Sequence, residues 1–186
     1  MAYFPAFIQL ENKKILIVGG GNIALEKLEK LLDFTHDIFL IATHFSEEIL
    51  KRIDLENLSF EKRAYESGDI KDFAIVIVAV DSLEIQENIF MESKNYKCLC
   101  NSVDSVEFCD FIFPSYIKKD SLTVAISTSG TSPAFAKHFK KYLADLIPDG
   151  IDSFLKEMKD LRKTIPKGKE RMKMLDEKAK DYVCKL

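Results

Sequence analysis

No apolar run in this chain approaches the ~18 consecutive residues that a membrane-spanning helix requires, which argues against a membrane protein. The opening MAYFPAFIQLENKK has no basic start ahead of its apolar stretch and no small-residue cleavage site, so no secretory signal is expected. Glycine and proline are sparse, seven and five in 186 residues, which excludes a collagen-like or low-complexity polymer. Cysteine is limited to four residues, and without a signal they point to a reduced, cytoplasmic setting. The three histidines form no spaced metal set, and no metal ligand is expected. Ser-His-Asp and Walker-type patterns are also missing.

What is present is ordinary globular material, 47% hydrophobic and 31% charged. Its length suits one domain and an appendage. The charge is unevenly placed. Residues 1–136 hold 13 Lys/Arg and 21 Asp/Glu, a net −8, whereas residues 137–186 hold 14 and 9, a net +5. An acidic body with a basic tail fits an anionic ligand or partner, and it fits a solvated helical face equally well. Nucleic acid is a poor candidate, because the pI is 5.7 and the tail has no interleaved exposed aromatics.

Lys14–Val18 is a short, continuous apolar run, the pattern of a parallel strand buried on both faces. After three glycines, apolar residues return at helical spacing from Ile23 to Leu32. Further strands are expected at Ile38–Ala42, from Leu58, at Phe73–Val80 and at Tyr96–Cys100, with helices at Ser46–Ile53 and Asp81–Ser93 between them. This alternation predicts an α/β protein with a Rossmann-like, doubly wound parallel sheet over residues 1–105. From 106 to 147 the pattern changes. Phe108–Ile117 and Leu122–Ser127 flank the polar turn 118–121, predicting a hairpin extension that makes a dimer contact or a ligand wall. Ser132–Pro133 then starts a helix, since Ser accepts from free helical N–H groups and Pro needs no N–H partner in the first turn. Residues 148–186 form a helical C-terminal part, with helices near 151–164 and 168–184.

Gly19-Gly20-Gly21-Asn22-Ile23-Ala24 fits G-x-G-x-x-(G/A) and sits between a buried strand and an amphipathic helix, the setting that a dinucleotide loop needs. Gly19 permits the tight turn, Gly21 keeps a Cβ away from a pyrophosphate, and Ala24 allows close helix–strand packing. Unpaired N–H groups at the helix start favour phosphate. The second strand departs from the pattern. Where an Asp or Glu usually holds the ribose, this chain has Ala42, Thr43 and His44, so NAD is preferred without NADP being ruled out.

Three other places carry chemistry. Asp104 follows a buried strand at the carboxyl edge of the expected sheet, where it reads either as a catalytic, proton-accepting carboxylate or as a capping or turn residue. Ser127, Thr128, Ser129, Gly130, Thr131 and Ser132 crowd hydroxyls before a helix start, which suits carboxylates and suits a capped loop as well. Lys137, His138, Lys140 and Lys141 follow on that helix and favour an anionic substrate. Cys98 and Cys100 share one strand face, and core packing outweighs metal binding there. Cys109 and Cys184 are isolated.

Taken together, FPAFIQLENKKILIVGGGNIALEK, CNSVD and ISTSGTSPAFAKHF resemble the siroheme synthase dehydrogenase/ferrochelatase domain, in order across nearly all of residues 1–150. The resemblance implies NAD-dependent oxidation of precorrin-2 to sirohydrochlorin, and in some members ferrous iron insertion to give siroheme. It implies a homodimer whose C-terminal segments help build the tetrapyrrole cleft. It places nucleotide contacts on Asn22, Ile23, Thr43 and His44 beside the glycines, and the catalytic aspartate on Asp104. Thr128 stands where some relatives have Ser, which weakens any regulatory role for that position. The fused methyltransferase domain of larger relatives is expected to be absent from a chain ending at Leu186. The competing functions are a non-catalytic NAD(H)-sensing Rossmann module and a scaffold that holds sirohydrochlorin.

Overall fold

The computed structural model describes residues 3–103 and 105–184, which divide into two compact units meeting at Ile112 and Phe113 in the sequence.

The first unit is built on a five-stranded parallel sheet, ordered β3-β2-β1-β4-β5. Its strands are β1 (Ile15–Val18), β2 (Ile38–Ile41), β3 (Ser59–Glu61), β4 (Ile75–Val78) and β5 (Leu99–Ser102). β1 and β4 are buried at every position, which explains why their sequences run apolar without alternation. Ile15 of β1 pairs with Ile38 of β2 on one side and with Ile75 of β4 on the other. The chain leaves β1 and winds outward to β3, then returns to β4 on the opposite side. The strand order therefore reverses between β1 and β4, and a crevice opens there at the carboxyl edge.

The connecting helices are α1 (Asn22–Leu32), α2 (Glu47–Leu55) and α3 (Leu83–Tyr96). α1 buries Ala24, Leu28 and Leu31, one stripe at spacings of four and three. Ser46 and Ser82 cap α2 and α3, each accepting from an N–H three residues on. Leu16, Val18, Ile41, Ile70, Val76, Val78, Ile89, Cys98 and Cys100 make one core cluster. Each large aliphatic buried in it contributes ~1.5–3 kcal/mol relative to exposure.

Most boundaries shift by one or two residues from the sequence expectation, and two strand starts shift further. The strand expected from Tyr96 begins at Leu99, because α3 continues to Tyr96 and ends on Lys97 in the left-handed region, φ 56°. The Cys98 N–H then bonds back to the Ser93 carbonyl, 3.0 Å away, before the chain extends. The hairpin strand expected from Phe108 begins instead at Ser115. Residues Val106–Phe108 form a 3-10 turn, and polar bonds to β5 hold the segment after it: Asp110 accepts from Cys100 N at 2.9 Å, and Asn101 Nδ2 donates to the Phe111 carbonyl at 2.8 Å.

The second unit holds the hairpin β6 (Ser115–Lys119) and β7 (Leu122–Ile126), followed by α4 (Pro133–Leu146), α5 (Ile151–Thr164) and α6 (Lys169–Val183). The hairpin does not extend the parallel sheet. It forms its own antiparallel pair, with Ser115 opposite Ile126. α4 starts as expected, with Pro133 in the first position and Phe135 N bonded to Ser132 Oγ at 3.2 Å. α5 and α6 are joined by a stack of Phe154 on Tyr182, centroids 3.9 Å apart, and by Lys178 on Glu157 at 2.6 Å. Arg171 Nη1 donates to the Arg162 and Ile165 carbonyls, satisfying acceptors left free at the end of α5. Among the described residues, no helix is long and apolar enough to cross a membrane.

Candidate functional site

Parallel strands bring the ends of β1, β2, β4 and β5 to one edge, and a cleft of about 990 Å³ opens there. Gly19 and Gly20 line it after β1, Ala42, Thr43 and His44 after β2, Ala79, Val80 and Asp81 after β4. α3 closes it with Ile85, Asn88 and Glu92. Gln86 Nε2 holds the Val80 carbonyl at 2.7 Å from below, fixing the turn into Asp81.

The geometry at Gly19 and Gly21 agrees with the sequence expectation, and Gly20 adds a packing role that the motif did not suggest. Gly19 has φ +133°, and a Cβ there would meet the Ala79 carbonyl oxygen at 2.2 Å. Gly20, for which the motif reading offered no role, packs against the β2–α2 loop, with its carbonyl 2.8 Å from Ser46 N. Gly21 has open space around it, with nothing within 4 Å of an added Cβ. Thus the protein's own packing demands the first two glycines, whereas the third leaves room for something outside the chain. Gly21 is also the N-cap of α1 and has no side chain to bond the first-turn N–H groups. Ala24 is fully buried against the sheet, as close helix–strand packing requires.

These features fit a dinucleotide. An uncapped helix start beside an open glycine can receive a pyrophosphate, and Thr43 and His44 are exposed in the cleft lining at the end of β2. Asn22 and Ile23 are exposed in the first turn of α1, next to the cleft lining rather than in it.

Sequence reading missed the rim beyond β3. Arg63 faces the cleft and forms a two-point bond with Asp69, at 2.7 and 2.9 Å. Its Nε donates to Glu61 and its Nη1 also reaches the Ala64 carbonyl at 3.0 Å. Burial pushes the Asp69 carboxyl up, but Arg63 and the Glu66 N–H outweigh that and hold it below the usual carboxylate range. Tyr65 donates to Glu92 at 2.8 Å, and Glu92 also accepts from Ser67 and Gly68 N. Burial, together with that carboxylate, raises the Tyr65 pKa, so the phenol stays a donor. The only sequence signal was an Arg, a Tyr and an Asp in a polar connection, which resembles any solvated loop.

Asp104 lies outside the described residues. β5 ends two positions before it, at the cleft's own edge of the sheet. The flanking chain is tied down by Cys109, which the sequence left as isolated: its thiol lies 3.1 Å from the Ser102 carbonyl and 3.3 Å from the Ser105 carbonyl. Cys98 and Cys100 are buried in the core, and burial pushes both thiols up to about 12, consistent with packing rather than ligation.

In the second unit, the loop 127–132 spends much of its polarity on itself. Ser127 Oγ accepts from Ser129 N at 3.0 Å, and Thr128 Oγ1 from Ser132 N at 3.1 Å. Ser132 Oγ caps α4, and the Thr131 N–H bonds the Thr128 carbonyl at 2.9 Å. Ser129 and Gly130 both take positive φ, 51° and 83°, to turn the chain. The hydroxyl protons remain available as donors, and Thr131 and His138 are exposed.

The fold and cleft define the class as a Rossmann-like nucleotide-binding protein. Residues 6–115 match a family model described as "Putative NAD(P)-binding", and residues 119–146 match one described as "Sirohaem biosynthesis protein central". The chain belongs to this NAD(P)-binding family. It is 32% identical over 151 residues to the siroheme synthase of Pseudoalteromonas translucida (strain TAC 125), covering 81% of this chain and 32% of that protein. It is 30% identical over 165 residues to the siroheme synthase of Methylococcus capsulatus, covering 89% and 35% respectively. The chain thus spans about one third of the length of the curated relatives it matches. A solved structure, "SirC, precorrin-2 dehydrogenase", superposes with a TM-score of 0.79 at 23% identity, covering 94% of this chain and 88% of that one.

Proposed function

We propose that the protein is a precorrin-2 dehydrogenase that uses NAD, with Asp104 as its proton acceptor. The observation that carries this reading is the open space at Gly21 beside an uncapped α1, in a chain whose family and relatives belong to siroheme synthesis. A pure NAD(H) sensor or a sirohydrochlorin scaffold would share the cleft. An enzyme is favoured over a sensor because β5 ends with Ser102 at the carboxyl edge of the sheet, two residues before Asp104 in the sequence.

When bound, NAD supplies the hydride acceptor. The net change would be precorrin-2 and NAD⁺ to sirohydrochlorin, NADH and H⁺, the proton leaving by way of Asp104. This chain's residues position and deprotonate. The start of α1 holds the pyrophosphate, and Thr43 and His44 meet the adenosine sugar. Asp104 takes the proton, directly or through water. Exposed hydroxyls of the 127–132 loop and His138 on α4 meet the substrate's carboxylates, with Lys137, Lys140 and Lys141 supplying the field.

The working form is a homodimer in the cytoplasm. α4 carries Phe135, Phe139, Tyr142 and Leu146 along one side, and these stay 56%, 36%, 59% and 56% exposed, so the basic tail does hold exposed aromatics, contrary to the sequence expectation. Phe135 stacks on Phe139 at 5.3 Å and Phe139 on Tyr142 at 6.1 Å, making a continuous apolar ridge suited to a second copy. Calorimetry with NAD and with sirohydrochlorin tests the two binding steps separately. Binding of both without turnover would favour the scaffold, and binding of NAD alone would favour the sensor.

A further inference from the structure

β2 ends without the acid that ordinarily holds an adenosine ribose, so other groups at that edge must choose between a 2′-hydroxyl and a 2′-phosphate. Among the described residues, Arg63 is the single arginine or lysine in the cleft lining. It is placed for the task. β3 lies beside β2 with Glu61 opposite Ile41, and Arg63 follows that pair by two residues as Thr43 does on β2. A free guanidinium there would be a ready receptor for a 2′-phosphate.

This guanidinium is not free. Of its five N–H donors, one goes to Glu61, one to the Ala64 carbonyl and two to Asp69. One cation between two carboxylates leaves a net charge of −1. An incoming phosphate would find one N–H of the five outside these bonds and would approach a cluster of net negative charge, whereas a neutral ribose hydroxyl meets no such repulsion.

We propose that Arg63, held by Asp69 and Glu61, is the cofactor-selectivity element of this cleft, and that the two acids set it for NAD by occupying and overbalancing the guanidinium. They do from β3 what a single acid at the end of β2 does elsewhere. The proposal rests on reading the cleft as a dinucleotide site, and its test separates the two. NAD and NADP affinities are measured by calorimetry for the wild type, Glu61→Gln, Glu61→Gln/Asp69→Asn, and that double variant with Arg63→Ala added. Glu61→Gln leaves the two-point Asp69 pair intact and keeps the loop folded.

The wild type binds NAD more tightly. Each neutralised acid improves NADP relative to NAD, by about tenfold for the pair. Adding Arg63→Ala cancels the gain, and raising the salt concentration shrinks it. An unchanged NAD/NADP ratio in Glu61→Gln and in the double variant overturns the proposal, as does a gain that survives loss of Arg63. A wild type that binds neither dinucleotide defeats the cofactor reading itself, and the selectivity proposal with it.

Discussion

A Cβ added to Gly20 would lie 2.1 Å from the His44 carbonyl oxygen, so the second glycine of the loop fixes the β2–α2 connection against the end of β1. Gly21, one residue on, has no such neighbour.

That contrast gives the first expected outcome. Gly20→Ala should destabilise the fold by ~1–3 kcal/mol through overpacking, and it should displace His44 from the cleft. Gly21→Val should keep stability within ~1 kcal/mol, the usual range for an N-cap change, while losing NAD binding. Thermal denaturation and calorimetry on both variants check this. A Gly21→Val protein with wild-type NAD affinity would contradict the placement of the pyrophosphate.

The parallel sheet was readable because its central strands β1 and β4 are buried at every position and leave continuous apolar runs, whereas the edge strand β3, exposed at every position, carries no such signal. The glycine loop was readable because it stood between such a run and an amphipathic helix. Other features depend on contacts between segments far apart in the chain. Lys97 ends α3 with a left-handed residue that no glycine marks, so the strand start was placed three residues early. Arg63 and Asp69 have the composition of a polar loop, and only the pairing of β3 with β2 brings Arg63 to the cleft. The role of Cys109 arises from a return of the chain to β5.

The exposed ridge on α4 predicts the oligomeric state. Phe135→Lys/Tyr142→Lys should leave the fold intact, since both side chains are more than half exposed. It should convert a dimer to a monomer by light scattering at micromolar concentration. A wild-type monomer, or a variant that remains dimeric, would contradict the assignment.

The buried thiols predict how stability falls in alkali. Cys98 and Cys100 titrate near 9 when unfolded and are pushed up to about 12 by burial in the folded protein. Between those values the native state holds protons that the unfolded state has lost. Stability should therefore fall as pH rises above 9, by up to ~1.4 kcal/mol per pH unit for each thiol. Replacing both with valine should flatten the slope in urea denaturation series from pH 8 to 11. An unchanged slope would contradict this cause.

Asp104→Asn tests the chemical step, because the amide is nearly isosteric with the carboxylate but is not a useful base at neutral pH. Turnover should fall by ~10²–10⁴ with NAD affinity unchanged. If the chain also inserts ferrous iron, a shared carboxylate requires both activities to fall together. Full turnover in the folded variant would remove Asp104 from the mechanism.

The central claim is tested most directly by mixing the wild-type protein with NAD and precorrin-2 and following NADH and sirohydrochlorin absorbance together. The account predicts that both rise at the same rate, one NADH per sirohydrochlorin, with no reaction when either reactant is omitted. Saturating NAD binding with no NADH formed from precorrin-2 would contradict it.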